Sequence, residues 1–215
     1  MQPSTTIWNE IKMFKTEDIR AEVDRSKLIL NKLNQSNLDE NKILALKFWE
    51  KFIQNNECMS KLIDTSYIDE ANTIYRLSLE HLFNMFALVR KPGFVEQLRN
   101  SSEVNIPKAL KEISKNEEQA EQKVLTPENA RLLKEAMEKH KEQPVKDLGY
   151  SIYNAAQASE LKCFYDSAYR LKSLSHAHST FLSILIENNE SDVNNLIESA
   201  MRFLKIAATL IEREF

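Results

Sequence analysis

Residues 191–215, SDVNNLIESAMRFLKIAATLIEREF, decide the fold class. Val193, Leu196, Ile197, Ala200, Phe203, Leu204, Ala207, Leu210 and Ile211 recur at the three- and four-residue intervals that put side chains on one face of an α-helix. Ser191 stands where a hydroxyl caps such a helix. Outward from this segment, the 215 residues contain only two glycines, with five prolines, and a strand-rich protein of this size needs glycine at many tight turns. The expectation is an all-α bundle of about six to eight helices in one domain over residues 1–215.

The remaining helices are legible from caps and stripes. Thr16 before Glu17 and Asp18 reads as a helix start, with the helix running to about Asn34. Asn37 and Glu40 have capping-box spacing ahead of Ile43, Leu46, Trp49 and Ile53. From about Ser66 to Arg90 an especially apolar stripe, Ile68, Ala71, Tyr75, Leu79, Leu82, Phe86 and Val89, marks a central helix stopped by Pro92-Gly93. The run 111–123, KEISKNEEQAEQK, carries seven charged residues, and Thr126-Pro127-Glu128 then reads as cap, first helical position and acidic first turn of a helix ending near His140. Together they predict a charged helical hairpin over residues 106–143, either a hydrated projection or an arm that docks a partner. After Pro144 the apolar pattern resumes through Tyr150, Tyr153, Leu161, Phe164, Ala168, Leu171, His178, Phe181 and Leu185, with a break expected near Asp166.

Composition narrows the function classes. With 29 basic and 32 acidic residues the formal charge is −3, which lacks the basic footprint of a duplex-DNA binder. Charges such as Lys205 interrupt every apolar run, so no membrane span is expected. The start, Met1-Gln2-Pro3-Ser4, does not read as a secretory signal, and a cytoplasmic protein with reduced Cys58 and Cys163 as small core fillers is the expectation. No glycine-rich phosphate loop or metal-ligand spacing occurs, so neither cofactor nor metal is expected, and His81 and His140 read as surface residues. Trp8, Phe48, Trp49 and Phe52 read as packing aromatics. The long apolar stripe of the last helix points to a homo-oligomer.

Candidate chemistry concentrates in two places. On a helix Arg170, Leu174 and His178 share a face, whereas His176 points nearly the opposite way from Arg170. His178 is then either a polar group held in the core beside Leu171, Phe181 and Leu185, or, next to an arginine that clamps phosphate, a base near neutral pH. Arg76 and Glu80, one turn apart, form either a surface ion pair or a buried network with Tyr75 or His178, in which Glu80 would orient the imidazole.

The segment 169–179, YRLKSLSHAHS, resembles the tyrosine, serine and histidine signature that closes a bacterial family of helical proteins related to the HEPN superfamily. The stretch 75–80, YRLSLE, is similar to that family's arginine and glutamate helix, and the likeness extends over about two-thirds of the chain by the order of helices. HEPN ribonucleases carry an arginine, four to six intervening residues and then a histidine; Arg170 and His176, with five between them, match that spacing, and Leu171 departs from the polar residue usual after the arginine. If His178 is the family histidine, the spacing is lost. The resemblance implies a metal-independent ribonuclease or RNA-binding protein of toxin or phage-defence type, with Arg170 and His176 or His178 at its centre and Arg76 and Glu80 in support. The residues taken alone lean toward a non-catalytic helical module that binds another protein, and the resemblance brings the two readings level.

Overall fold

The structure, a computed structural model, describes residues 13–33, 38–142, 145–177, 181 and 183–215, and is all-α, with no strand among the described residues. Helices α1 (Thr16–Leu33), α2 (Glu40–Asp64), α3 (Ile68–Arg90) and α8 (Glu190–Glu214) build the bundle. The antiparallel pair α2 and α3 has the most extensive interface, closed by a tight turn in which Ser66 adopts a positive φ of 63°. α1 packs across both α2 and α8, and α3 meets α8 on a further side. The core is made where their stripes meet: Trp49 and Phe52 from α2, Leu79, Leu82 and Phe83 from α3, and Leu204 and Ala207 from α8 are all essentially sealed from solvent. Most of the apolar stripe of α8, from Leu196 to Ile211, is buried against these helices.

Helix ends show how local chemistry sets the boundaries. α8 is capped not by Ser191 but by Asn189, whose side chain accepts from the Asp192 amide while the Asp192 carboxylate accepts from the Asn189 amide, each at 3.0 Å. The reciprocal pair satisfies two otherwise orphaned donors, which a lone serine two residues further in cannot do. Asp39 caps α2 through the Lys42 amide; Asn37 lies outside the described residues. Gly93, at φ 74°, makes the left-handed step between α3 and α4, where a side chain would be strained.

Helix α4 (Phe94–Gln119) continues through Pro107, and α5 (Pro127–Glu142) returns beside it. Only the first turns of α4 are buried, through Phe94, Val95 and Asn100, and from 101 to 139 no residue is buried. The charged hairpin therefore leaves the bundle as a two-helix arm. Both cysteines are exposed thiols rather than core fillers. His81 is half-buried against the Phe48 ring, 5.9 Å between centroids, rather than on the surface, and burial pushes its pKa below the usual histidine value. Trp8 lies outside the described residues.

The stretch expected to be one or two ordinary helices is more broken. α6 (Ile152–Gln157) packs Ala155 and Ala156 against α3, and α7 (Lys162–Phe164) runs directly into two π-helical stretches, Tyr165–Arg170 and Ser173–Ala177. In each a serine bonds back by four residues: Ser167 donates to the Cys163 carbonyl (2.9 Å) and Ser175 to the Leu171 carbonyl (2.8 Å). Leu171, Phe181 and Leu185, expected in the core, are all more than half exposed. Leu204→Ala should cost about 2–5 kcal/mol in chemical denaturation because it empties a sealed site. Leu132→Ala on the arm should stay within about 0.5 kcal/mol.

Candidate functional site

Along α3, Asp69, Thr73, Arg76 and Glu80 follow one another at spacings of four, three and four, which puts them on one face. Along the π-helical segment, Tyr169, Ser173 and His176 follow at four and three. The two rows run antiparallel and mesh: Glu80 and Arg76 meet Tyr169, Arg76 meets Ser173, and Thr73 and Asp69 meet His176.

At the centre three atoms make a compact triangle. Arg76 Nη2 donates to the Tyr169 hydroxyl at 2.7 Å and pairs with Glu80 Oε1 at 2.9 Å, and the Tyr169 hydroxyl donates to the same Glu80 oxygen at 3.0 Å. Arg76 Nε donates to Ser173 Oγ at 2.8 Å, and the guanidinium lies 4.8 Å from the centre of the Tyr169 ring. Burial, reinforced by the Glu80 charge, pushes the Tyr169 phenol up to about 12, so it remains a donor at any physiological pH. Arg76 and Glu80 are largely buried, which excludes the surface-pair reading and makes loss of one partner costly. Of the two partners expected for the pair, Tyr75 instead bonds Ser199 and His178 lies outside the described residues; the partner seen on Glu80 is the Tyr169 phenol.

The second half of the row surrounds His176, whose side chain is only 4% exposed. Its Nδ1 lies 2.6 Å from Ser175 Oγ, and its Nε2 faces Asn188 Oδ1 at 3.4 Å and Asp69 Oδ1 at 3.7 Å, with Asn188 donating to Asp69 at 2.7 Å. Thr73 Oγ1 donates to the His176 carbonyl at 2.9 Å. Burial first, and then the nearby charge of Lys172, lower the His176 pKa, against the opposing pull of Asn188, Asp69 and Asp192. Burial also lowers the Lys172 pKa, opposed by Asp192.

Arg170 does not join this group. Its side chain is 66% exposed and pairs with Asp166 at 3.4 Å on the outer face, away from the side that buries Tyr169, Ser173 and His176. The histidine expected in the interior, His178, lies outside the described residues, and His176 occupies that role. Arg76, Glu80 and His176 are brought into one row; Arg170 is left out of it. Asp69, Thr73, Tyr169 and Ser173 were not singled out as site residues, although their matching four-three spacing was a readable signal. Among the described residues no group of three or more histidine, cysteine or acidic side chains could hold a metal ion.

The row behaves chemically as a clasp, since each charge is met by a partner within the protein. Arg76→Ala should cost about 1–3 kcal/mol by stranding Glu80, and Tyr169→Phe about 1 kcal/mol, both in denaturant melts. A histidine whose folded pKa is depressed favours the folded state while neutral. His176 should therefore contribute stability above about pH 6.5 that is lost as pH falls through that unfolded-state value toward the lower folded one. His81 has the same sign, so stability measured from about pH 7.5 down to about 5 should fall less steeply in His176→Asn, and less again when His81→Asn is added.

Comparison with known proteins matches residues 42–195 to a family of unknown function, DUF5677. No curated protein and no solved structure matches the chain. The matched span runs from α2 into the second turn of α8, covers more than half of the sequence and includes both rows of the clasp. The chain therefore belongs to DUF5677, a family of unknown function.

Proposed function

We propose that this protein is a non-catalytic helical interaction module, in which the clasp between α3 and the π-helical segment fixes the shape of a binding surface. The observation that carries this reading is the separation of Arg170 from His176. A phosphate clamp and a base must face one reacting group. Here the arginine points outward into an exposed pair with Asp166, and the imidazole is enclosed by Ser175, Asn188 and Asp69. Arg76 is likewise engaged by Glu80, Tyr169 and Ser173. The exposed surface supplies material for association, through the arm and through Leu171, Leu174 and Phe181, each more than half exposed.

A second reading, a metal-independent ribonuclease or RNA-binding protein of toxin or phage-defence type, is favoured by one feature. His176 is held toward its neutral form beside Lys172, as a base with a cationic neighbour would be. The same experiment decides between the two. Total cellular RNA incubated with purified protein and chelator should remain intact, and His176→Ala should lower stability by about 1–3 kcal/mol. Cleavage that Arg170→Ala or His176→Ala abolishes, with little change in melting temperature, would overturn the module reading in favour of the nuclease.

A further inference from the structure

Two clefts, of 410 and 530 Å³, open along α8 and share Phe164, Lys205 and Ile206. They form one trough that follows α8 from Ser199 to Arg213, roughly 21 Å of helix. The opposite wall is the stretch from Leu161 to Ala168, where the bundle offers only a three-residue helix and the start of a π turn. On its other flank α8 is covered by the 18-residue α1. Among the described residues no longer helix fills that side of α8.

Its lining is apolar on the floor and basic at the edges. Arg90, Arg202, Lys205 and Arg213 line it, against the single carboxylate of Glu160, in a chain whose formal charge is −3. The carboxylates that pair these cations outside the lining are Glu198, Glu22 and Glu214. At three positions the cation is the more exposed partner, Arg202 at 73% against 30% for Glu198, Lys205 at 52% against 17% for Glu22 and Arg213 at 62% against 31% for Glu214, whereas Arg90, at 23%, lies below Glu160 at 58%. An incoming group therefore meets positive ends first along Arg202, Lys205 and Arg213.

We propose that this trough seats an amphipathic helix of a partner protein whose polar face is acidic. Apolar side chains at i, i+3, i+4 and i+7 would lie on Phe164 and Ile206, with carboxylates reaching Arg202, Lys205 and Arg213. The proposal rests on the interaction-module reading and names its surface.

The test is fluorescence anisotropy with a labelled peptide of roughly 18 residues, leucine at the four-three positions and glutamate on the polar face, against a control peptide with lysine in place of glutamate. The acidic peptide should bind saturably, about tenfold or more tighter than the lysine peptide, and more weakly as salt is raised. Ile206→Glu, and separately the pair Arg202→Glu and Arg213→Glu on exposed positions, should each lower affinity about tenfold or more with unchanged circular dichroism. Lys134→Glu on the arm should change nothing. No binding, equal binding of both peptides, or indifference to the trough substitutions overturns the proposal. So does displacement of the peptide by dodecanoate, or a dimer in sedimentation that Ile206→Glu abolishes, since these give the trough to an acyl chain or a second copy. Failed peptide binding with RNA left intact removes this surface alone, whereas cleavage of RNA removes the module reading itself.

Discussion

Helix α3 carries the constraint on which the structure depends: it must bury apolar side chains against α2, α6 and α8 while keeping a charged row satisfied on its remaining side. Leu79, Leu82, Phe83 and Met85 are sealed from solvent, so the helix has little freedom to rotate about its axis. That fixed rotation aims Asp69, Thr73, Arg76 and Glu80 at the π-helical segment. A turn of the helix by one residue would drive Arg76 and Glu80 into the core, and the cost of burying unpaired charge forbids it. Apolar packing and the polar clasp thus specify the same register from two sides.

The clasp in turn gives the segment between α6 and α8 its form. Isolated short helices are marginal in water, and α7 with its π turns has few buried residues of its own. What holds it is the Arg76, Glu80 and Tyr169 triangle, the edge-on contact of Phe83 with Tyr169 at 6.0 Å between ring centres, and the Phe164 and Phe203 contact at 4.9 Å. The same segment forms one wall of the trough beside α8. Charge pairing inside the protein is in this way connected to the shape of a surface outside it.

Helix class and most element positions were written in the chain, because periodic apolar residues, scarce glycine and local caps act within a few residues of themselves. The stripe of α8, the Pro92-Gly93 stop and the Thr126 cap, which accepts from the Asn129 amide at 3.2 Å, are of this kind. The cap of α8 was misassigned by two residues because Ser191 and Asn189 are both competent, and only the reciprocal bond with Asp192 separates them. The π turns fall in an ordinary helical pattern, and nothing in the spacing of their residues announces them.

The sequence by itself determined that this protein is helical, where its main helices lie and that its middle is a charged hairpin, since these follow from periodicity and composition. Which polar residues meet was decided by tertiary structure alone. Arg76 and Tyr169 are 93 positions apart, and Asp69 and Asn188 are 119 apart. No local rule relates such residues; they come together because α3 and the closing segment are packed on the same core. The same packing set which of the two opposed residues faces in, turning His176 inward and Arg170 outward.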